Sequence, residues 1–316
     1  VYPLLALETV MWGTFEPARN AVVPGIVGKD EVILANTLSS TTWSFNLFLG
    51  SAVGGVVAAF LGRDFVFVLN ALSFVLSAIL IAGMRFEEPH TKSQSPMRLR
   101  DLWDYSFLLE GIRYVRRQRG LTAAVLVKAG LGATGASWII FPIMGARIFP
   151  VSWHSISGER GTVLGMALLM GARGVGALVG PLLTAPWTQQ DPPRLRLAIL
   201  WGFLLYGSGY VALAYASHAG LAYTLIALSH IGGAMVWVFS TTLLQVMTED
   251  NFRGRVFSAD LSFFTVSMAI SAYLAGAAMD HGYSVRGVIL ATAIATVAIG
   301  IIWAWWGVRP GESRNG

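Results

Sequence analysis

Three charged residues lie where charge is expensive. Glu8, Lys128 and Arg173 each sit within a run of apolar and small residues, and an ionised side chain inside a hydrocarbon core is a functional candidate by default. Glu8 is about eight residues, roughly 12 Å, from the end of its run, too deep for a short carboxylate to reach water easily. It can bind a cationic group, carry a proton if burial raises its pKa, or form a structural pair with another buried polar group. Arg173 lies near the centre of its run and can hold an anionic group, pair with Glu8, or lock its helix against backbone carbonyls. Lys128 has a stem long enough to snorkel its ammonium to the inner surface. Trp138, Tyr206, His230, Trp237 and Gln245 fall on further apolar runs and offer an aromatic and polar lining suited to a bulky, partly apolar small molecule. Such aromatics also serve as lipid-facing, core or interfacial residues, and Trp303, Trp305 and Trp306 read as an interfacial belt.

The elements that must position these residues are membrane-spanning helices. Of 316 residues 55% are hydrophobic and 12% charged, with a mean hydropathy of +0.62, whereas soluble domains are about one quarter charged. The apolar residues form runs near 1–15, 38–61, 65–84, 121–146, 162–186, 195–217, 220–246, 257–279 and 286–307, each about the length that crosses a bilayer except the first, which reads as a cut-off helix. They lack the alternation of barrel strands, so an all-α integral membrane bundle of about nine helices is expected.

Alternation across nine spans sorts the cations. Only Arg63, Arg147, Arg160 and Arg286 fall on one side, and only Lys128 and Arg173 inside spans, while the rest of the 22 Lys and Arg lie on the other side. That side is expected to be cytoplasmic, with the C-terminus there and the protein in the cell (inner or plasma) membrane. The same distribution argues against nucleic acid as the partner of the +5 net charge. The longest polar stretch, 85–120, becomes amphipathic, with Tyr105, Leu108, Leu109, Ile112 and Val115 on one face, as in a helix on the inner membrane surface.

Small and charged residues mark where helices meet. Gly50, Gly54 and Gly55 form one small-residue group, and Gly176 and Gly180 another; such spacings allow close helix approach and rocking, or simply tight packing. Arg19, Lys29, Asp30 and Glu31 face the second mixed-sign loop Glu249, Asp250, Arg253 and Arg255 as candidate inward-closing gate loops, or as anchors at the headgroups. Asp260 reads as steadying the start of the following helix. Val27-Gly-Lys-Asp-Glu lines up with Met247-Thr-Glu-Asp-Asn, and Gly62 with Gly282, at one offset, the pattern of parallel duplicated halves.

The expected organisation is therefore 1–84 as the last three helices of a first six-helix half, 85–120 as a central loop, 121–308 as a second half and 309–316 as a tail. The chain opens Val-Tyr-Pro-Leu-Leu without an initiator Met, and three further helices are expected before Val1.

Soluble-enzyme signatures are lacking: there is no G-x-x-x-x-G-K-[ST], H-E-x-x-H or G-x-S-x-G, no cysteine, and the five histidines have no ligand spacing. No catalytic residue, metal or cofactor is expected.

Phe15-Glu-Pro-Ala-Arg-Asn-Ala-Val-Val-Pro-Gly-Ile-Val-Gly-Lys-Asp-Glu, followed by Leu34-Ala-Asn-Thr-Leu, resembles the loop between the fourth and fifth helices of the enterobactin-exporter-like branch of the major facilitator superfamily. Leu49-Gly-Ser-Ala-Val-Gly-Gly, Leu109-Glu-Gly-Ile-Arg-Tyr-Val-Arg-Arg and Arg253-Gly-Arg-Val-Phe-Ser extend the resemblance nearly end to end. The resemblance implies a major facilitator fold lacking its first three helices. It also implies a secondary active, usually proton-driven exporter of a small amphiphile, siderophore or drug-like, working by alternating access through a cavity between the halves; the partners expected are that small molecule, protons and the lipid bilayer, with the chain a monomer. Gly50, Gly54 and Gly55 match the core of the antiporter motif, with Ser51 where many members carry Pro. A sensor or assembly scaffold on the same fold is the rival expectation.

Overall fold

The computed structural model describes residues 2–61, 63–84, 106–117, 119–152, 158–189 and 191–308. Among these, all regular structure is helical: α1 (Tyr2–Ile26), α2 (Val32–Leu61), α3 (Arg63–Ala82), α4 (Ser106–Arg117), α5 (Arg119–Gly132), α6 (Ser137–Ile143), α7 (Glu159–Thr188), α8 (Pro192–Ala214), α9 (Ala219–Met247), α10 (Asp250–Asp280) and α11 (Val285–Trp303). A 3₁₀ turn at Ala133–Ala136 joins α5 to α6, and π turns follow α6 at Met144–Ile148 and α11 at Ala304–Val308.

Seven helical segments among the described residues are long and apolar enough to cross a membrane: Asp64–Ala82, Gly120–Ile148, Leu164–Thr188, Pro192–Ala214, Ala219–Met247, Asp250–Asp280 and Val285–Val308. Of the other two expected spans, residues 2–15 lie within α1 and residues 38–61 within α2. α1 runs eleven residues past the expected end, to Ile26, through Glu16, Pro17, Arg19 and Pro24. Arg19 is therefore helical rather than part of a loop. Proline is tolerated inside a membrane helix because neighbouring helices and side chains re-satisfy the freed backbone groups. The amphipathic helix of the central stretch is α4; Tyr105, the rest of 85–105 and the tail 309–316 lie outside the described residues.

Local chemistry fixes several helix starts. Asp191 accepts a hydrogen bond from Arg194 N ahead of Pro192, His218 accepts one from Leu221 N, and Ser284 accepts one from Gly287 N, each satisfying an orphan donor of a first turn. Gly282 takes a φ of +89° in the turn between α10 and α11, a conformation that a side chain would strain.

The core of the bundle is built on α9, which packs against α7 and α8, while α8 packs on α11, α2 on α7, and α5 on α10. Small residues set these spacings. A Cβ on Gly176 would run into Ala227 O, and one on Gly180 into Ile231 O, so the backbones of α7 and α9 approach directly. Gly50 and Gly54 differ, since a Cβ at either meets nothing within 4 Å. Trp303 departs from the expected interfacial belt: it is buried, and its indole N–H donates to Arg196 O at 3.0 Å, while Trp305 and Trp306 are exposed.

Candidate functional site

A cavity of about 410 Å³ opens between α1 and α2 on one side and α5 to α10 on the other. Trp12, Glu16, Arg19 and Asn20 of α1 and Asn36, Ser39, Ser40, Trp43 and Ser44 of α2 form the first wall. Facing them are Thr134, Ser137, Trp138, Arg173, Tyr206, His230, Trp237, Thr241 and Phe264. The volume and the mixture of apolar walls with a few convergent polar groups match a small-molecule site. Five of the residues expected from sequence, Trp138, Arg173, Tyr206, His230 and Trp237, thus come together from four helices.

Charge in the cavity is unevenly matched. Arg19 Nη2 pairs with Glu16 Oε2 at 2.9 Å, one turn away on α1. Arg173 lays its guanidinium over the Trp138 ring at 4.5 Å, and its Nη1 is buried with no hydrogen-bond partner among the described residues. It does not pair with Glu8, which is exposed on α1 and does not line the cavity. A guanidinium against an aromatic face keeps its outward N–H groups free for an anion.

His230 is oriented by its own helix. Its Nδ1 lies 2.9 Å from Ile226 O, which can only accept, so Nδ1 carries the proton and, in the neutral ring, Nε2 presents a lone pair. Tyr206 Oη stands 3.4 Å from that Nε2 and 3.4 Å from Tyr210 Oη. The rings of Tyr206 and His230 meet edge to face at 5.0 Å, as do those of Tyr206 and Tyr210 at 4.9 Å.

Two expected residues take other places. Gln245 is buried beside the cavity, where α1 ends and α2 begins. Its Nε2 donates to Asn20 O at 3.0 Å and its Oε1 accepts from Asn36 Nδ2, which also donates to Thr242 Oγ1 at 3.1 Å. This polar latch ties α9 to α1 and α2 across more than 200 residues of sequence. Lys128 does not snorkel: its Nζ donates to Asp260 Oδ2 at 2.6 Å, with the two side chains 3% and 2% exposed. Asp260, expected to steady a helix start, instead lies ten residues into α10 as the counter-ion of Lys128.

The gate-loop residues make local and cross-element contacts. Arg253 pairs with Asp250 at 2.7 Å within the first turn of α10, and Glu31 Oε2 accepts from Gly28 N at 3.1 Å. Asp30 lies in the short 3₁₀ turn before α2, and Glu249 precedes α10, its N–H donating to Tyr114 Oη at 3.2 Å. Arg255 pairs with Glu110 of α4 at 2.9 Å, and Tyr114 stacks on Phe252 at 4.1 Å, so these contacts dock the amphipathic helix. Sequence reasoning missed Asn36, Trp12, Trp43 and the role of Asp260. Asn36 and Asp260 carry a signal in hindsight, as polar residues beside or within apolar runs.

A bundle of membrane-length helices around an amphiphilic cavity is an architecture suited to membrane transport. Comparison with known proteins agrees: a family model described as a transmembrane secretion effector, MFS_3, matches residues 4–316. The chain belongs to this family of the major facilitator superfamily, and it is a multi-pass membrane protein of a transporter class rather than an enzyme. It is similar to three proteins of Bacillus subtilis (strain 168), each described as an uncharacterised MFS-type transporter. Identity to YfmI is 25% over 282 residues, covering 89% of this chain and 66% of YfmI. Identity to YfiS is 24% over 324 residues, covering 100% and 73%. Identity to YkuC is 20% over 305 residues, covering 92% and 68%. The chain spans about two thirds of the length of these relatives.

Proposed function

We propose that the protein is a secondary active exporter in which a small anionic amphiphile enters the central cavity from the cytoplasm and leaves on the other side, driven by proton inflow. The observation that carries this reading is Arg173: a buried guanidinium Nη1 with no hydrogen-bond partner among the described residues, set in an aromatic wall. Holding a cation there is costly unless a ligand matches it. The tryptophans supply flat apolar surface for the rest of the cargo, and His230 and Tyr206 supply further hydrogen-bonding groups.

Alternating access then requires the latch of Asn36, Gln245 and Asn20 to close the cytoplasmic mouth and to part when the cavity faces inward. The orientation follows the cation bias, with the C-terminus in the cytoplasm of a cell-membrane protein that works as a monomer. In the whole protein we place three further helices before α1, making twelve. Exposed Glu8 supports this, because a carboxylate among exposed Leu7, Val10 and Met11 is poorly suited to face lipid and would be met by a polar partner on another helix.

The test is efflux of 1-naphthalenesulfonate from vesicles carrying the whole protein, with and without a proton gradient. Gradient-dependent flux is expected, and Arg173→Gln should raise the KM for this anion at least several-fold while sparing membrane insertion. Absence of any gradient-dependent flux from folded protein would favour a sensor or scaffold role instead.

A further inference from the structure

We propose that Asp260, facing Lys128, is the proton-binding site of the transport cycle. This rests on the exporter reading above and adds to it the group that carries the coupling ion. The pair is closed to water, yet it stands directly behind the cavity wall. Lys128 Nζ lies 4.7 Å from the centroid of the Trp237 ring and 5.9 Å from that of Phe257, and Trp237 itself lines the cavity, edge-on to Phe264 at 5.1 Å.

The two carboxylate oxygens of Asp260 are not equivalent. Oδ2 accepts from Lys128, whereas Oδ1 is buried with no hydrogen-bond partner among the described residues. A structural ion pair is stable when its remaining lone pairs are satisfied. Here one oxygen is left open, and a proton can bind Oδ1 without first displacing Lys128.

The step balances as a simple proton transfer. A proton from the outer side forms an O–H bond at Oδ1, the ion pair to Oδ2 is lost, and the ammonium of Lys128 stays protonated. The faces of Trp237 and Phe257 then hold that cation. An aromatic cargo and the freed ammonium both bear on Trp237, so occupancy of the cavity and protonation of Asp260 are linked. Release of the proton to the cytoplasmic side restores the pair.

Several charges on the helices packed against α5 and α10 are engaged elsewhere, while Glu8 of α1 is exposed. α1 brings Glu16 and Arg19, paired with each other; α4 brings Glu110, paired with Arg255 of α10; α10 also carries Asp250, paired with Arg253. α9 brings His230, held by Ile226 O, and α11 brings Arg286, bonded to Ala216 O. Lys128 is the cation in contact with Asp260.

The experiment combines infrared difference spectroscopy with flux, both on the whole protein in lipid. A carboxylic-acid C=O band should grow as pH falls, vanish in Asp260→Asn, and appear at higher pH in Lys128→Met, because losing the cation disfavours the carboxylate. In inverted vesicles with an acid interior, wild-type protein should accumulate 1-naphthalenesulfonate. Asp260→Asn should take it up equally with and without the gradient. The double variant Lys128→Met/Asp260→Leu, which removes both charges and keeps the site filled, should fold and remain uncoupled.

No Asp260-dependent band, or gradient-driven uptake by Asp260→Asn or by the double variant at the wild-type level, overturns the proposal. If Asp260→Asn stays coupled, the exporter reading survives without this site. If wild-type protein shows the band but no accumulation, the proton site stands and the exporter reading falls.

Discussion

α3 and the segment from α5 through α6 are both apolar helices of spanning length, and the described residues of this chain cover them very differently. α3 is the most apolar of the seven candidate spans, yet its apolar stretch is unburied in this chain, whereas most of the apolar stretch of Gly120–Ile148 is buried at a lower hydropathy. Hydropathy reports that a segment must leave water; it does not report whether lipid or protein receives it. Lipid tails are as apolar as leucine, so helix association is decided by small residues that let backbones meet and by polar groups that need partners. α5 has such a group in Lys128, and the span it begins includes Gly132, Gly135 and Gly145, where a Cβ would crowd the backbone of α10 or α7. The described side chains of α3 make no cross-helix hydrogen bond or ion pair comparable to these.

This contrast can be broken most sharply at the buried charges. Lys128→Met leaves Asp260 buried and unpaired and should cost about 3–5 kcal/mol, read as a fall in melting temperature in detergent. The double variant with Asp260→Leu should recover most of that loss, and equal instability of single and double variants would show that the pair is not the cause. Next comes backbone contact. Gly176→Leu must push α7 away from Ala227 O and should cost about 1–3 kcal/mol or more, whereas Gly54→Leu, in open space, should be nearly neutral in the same melt. Equal effects at the two glycines would erase the distinction between packed and open helix faces.

The latch offers a smaller effect. Asn36→Ala removes hydrogen bonds to Thr242 and Gln245 worth about 0.6–1.7 kcal/mol in a membrane protein, enough to shift a balanced equilibrium toward the inward-open form. Because the chain has no cysteine, a single cysteine placed at Ser44 reports this as faster thiol labelling from the cytoplasmic side. Unchanged labelling would mean that Asn36 does not hold the mouth shut. Smallest of all, Leu76→Ala on exposed α3 should change stability by no more than about 0.5 kcal/mol. A large loss there would mean that α3 is covered by protein rather than lipid.

Much of this molecule was legible in the residues. Runs of apolar side chains fixed the class, because a backbone in hydrocarbon must close its own hydrogen bonds. Trp138, Arg173, Tyr206, His230 and Trp237 drew notice as polar or aromatic residues in such runs, and they meet at one cavity. What could not be read was partnership. Lys128 and Asp260 are 132 residues apart, and Asn36 and Gln245 are 209 apart. Single-sequence periodicity carries no information about which helix faces which. Glu8 looked as promising as Arg173 by depth alone, yet the structure leaves it exposed on α1 and sets Arg173 against Trp138 at the cavity wall.

The sequence by itself determined that the chain enters the membrane as helices, where its cations fall between them, and that charge at Lys128 and Arg173 would have to be accommodated. The tertiary structure alone decided how. It paired Lys128 with Asp260, set Arg173 over Trp138 at the cavity wall while the cavity's carboxylate Glu16 pairs with Arg19, and joined α1, α2 and α9 beside that cavity through Asn20, Asn36 and Gln245. The reason is physical: transfer out of water depends on each segment's own composition, whereas the pairing of polar groups depends on distances between segments that exist only after the helices pack.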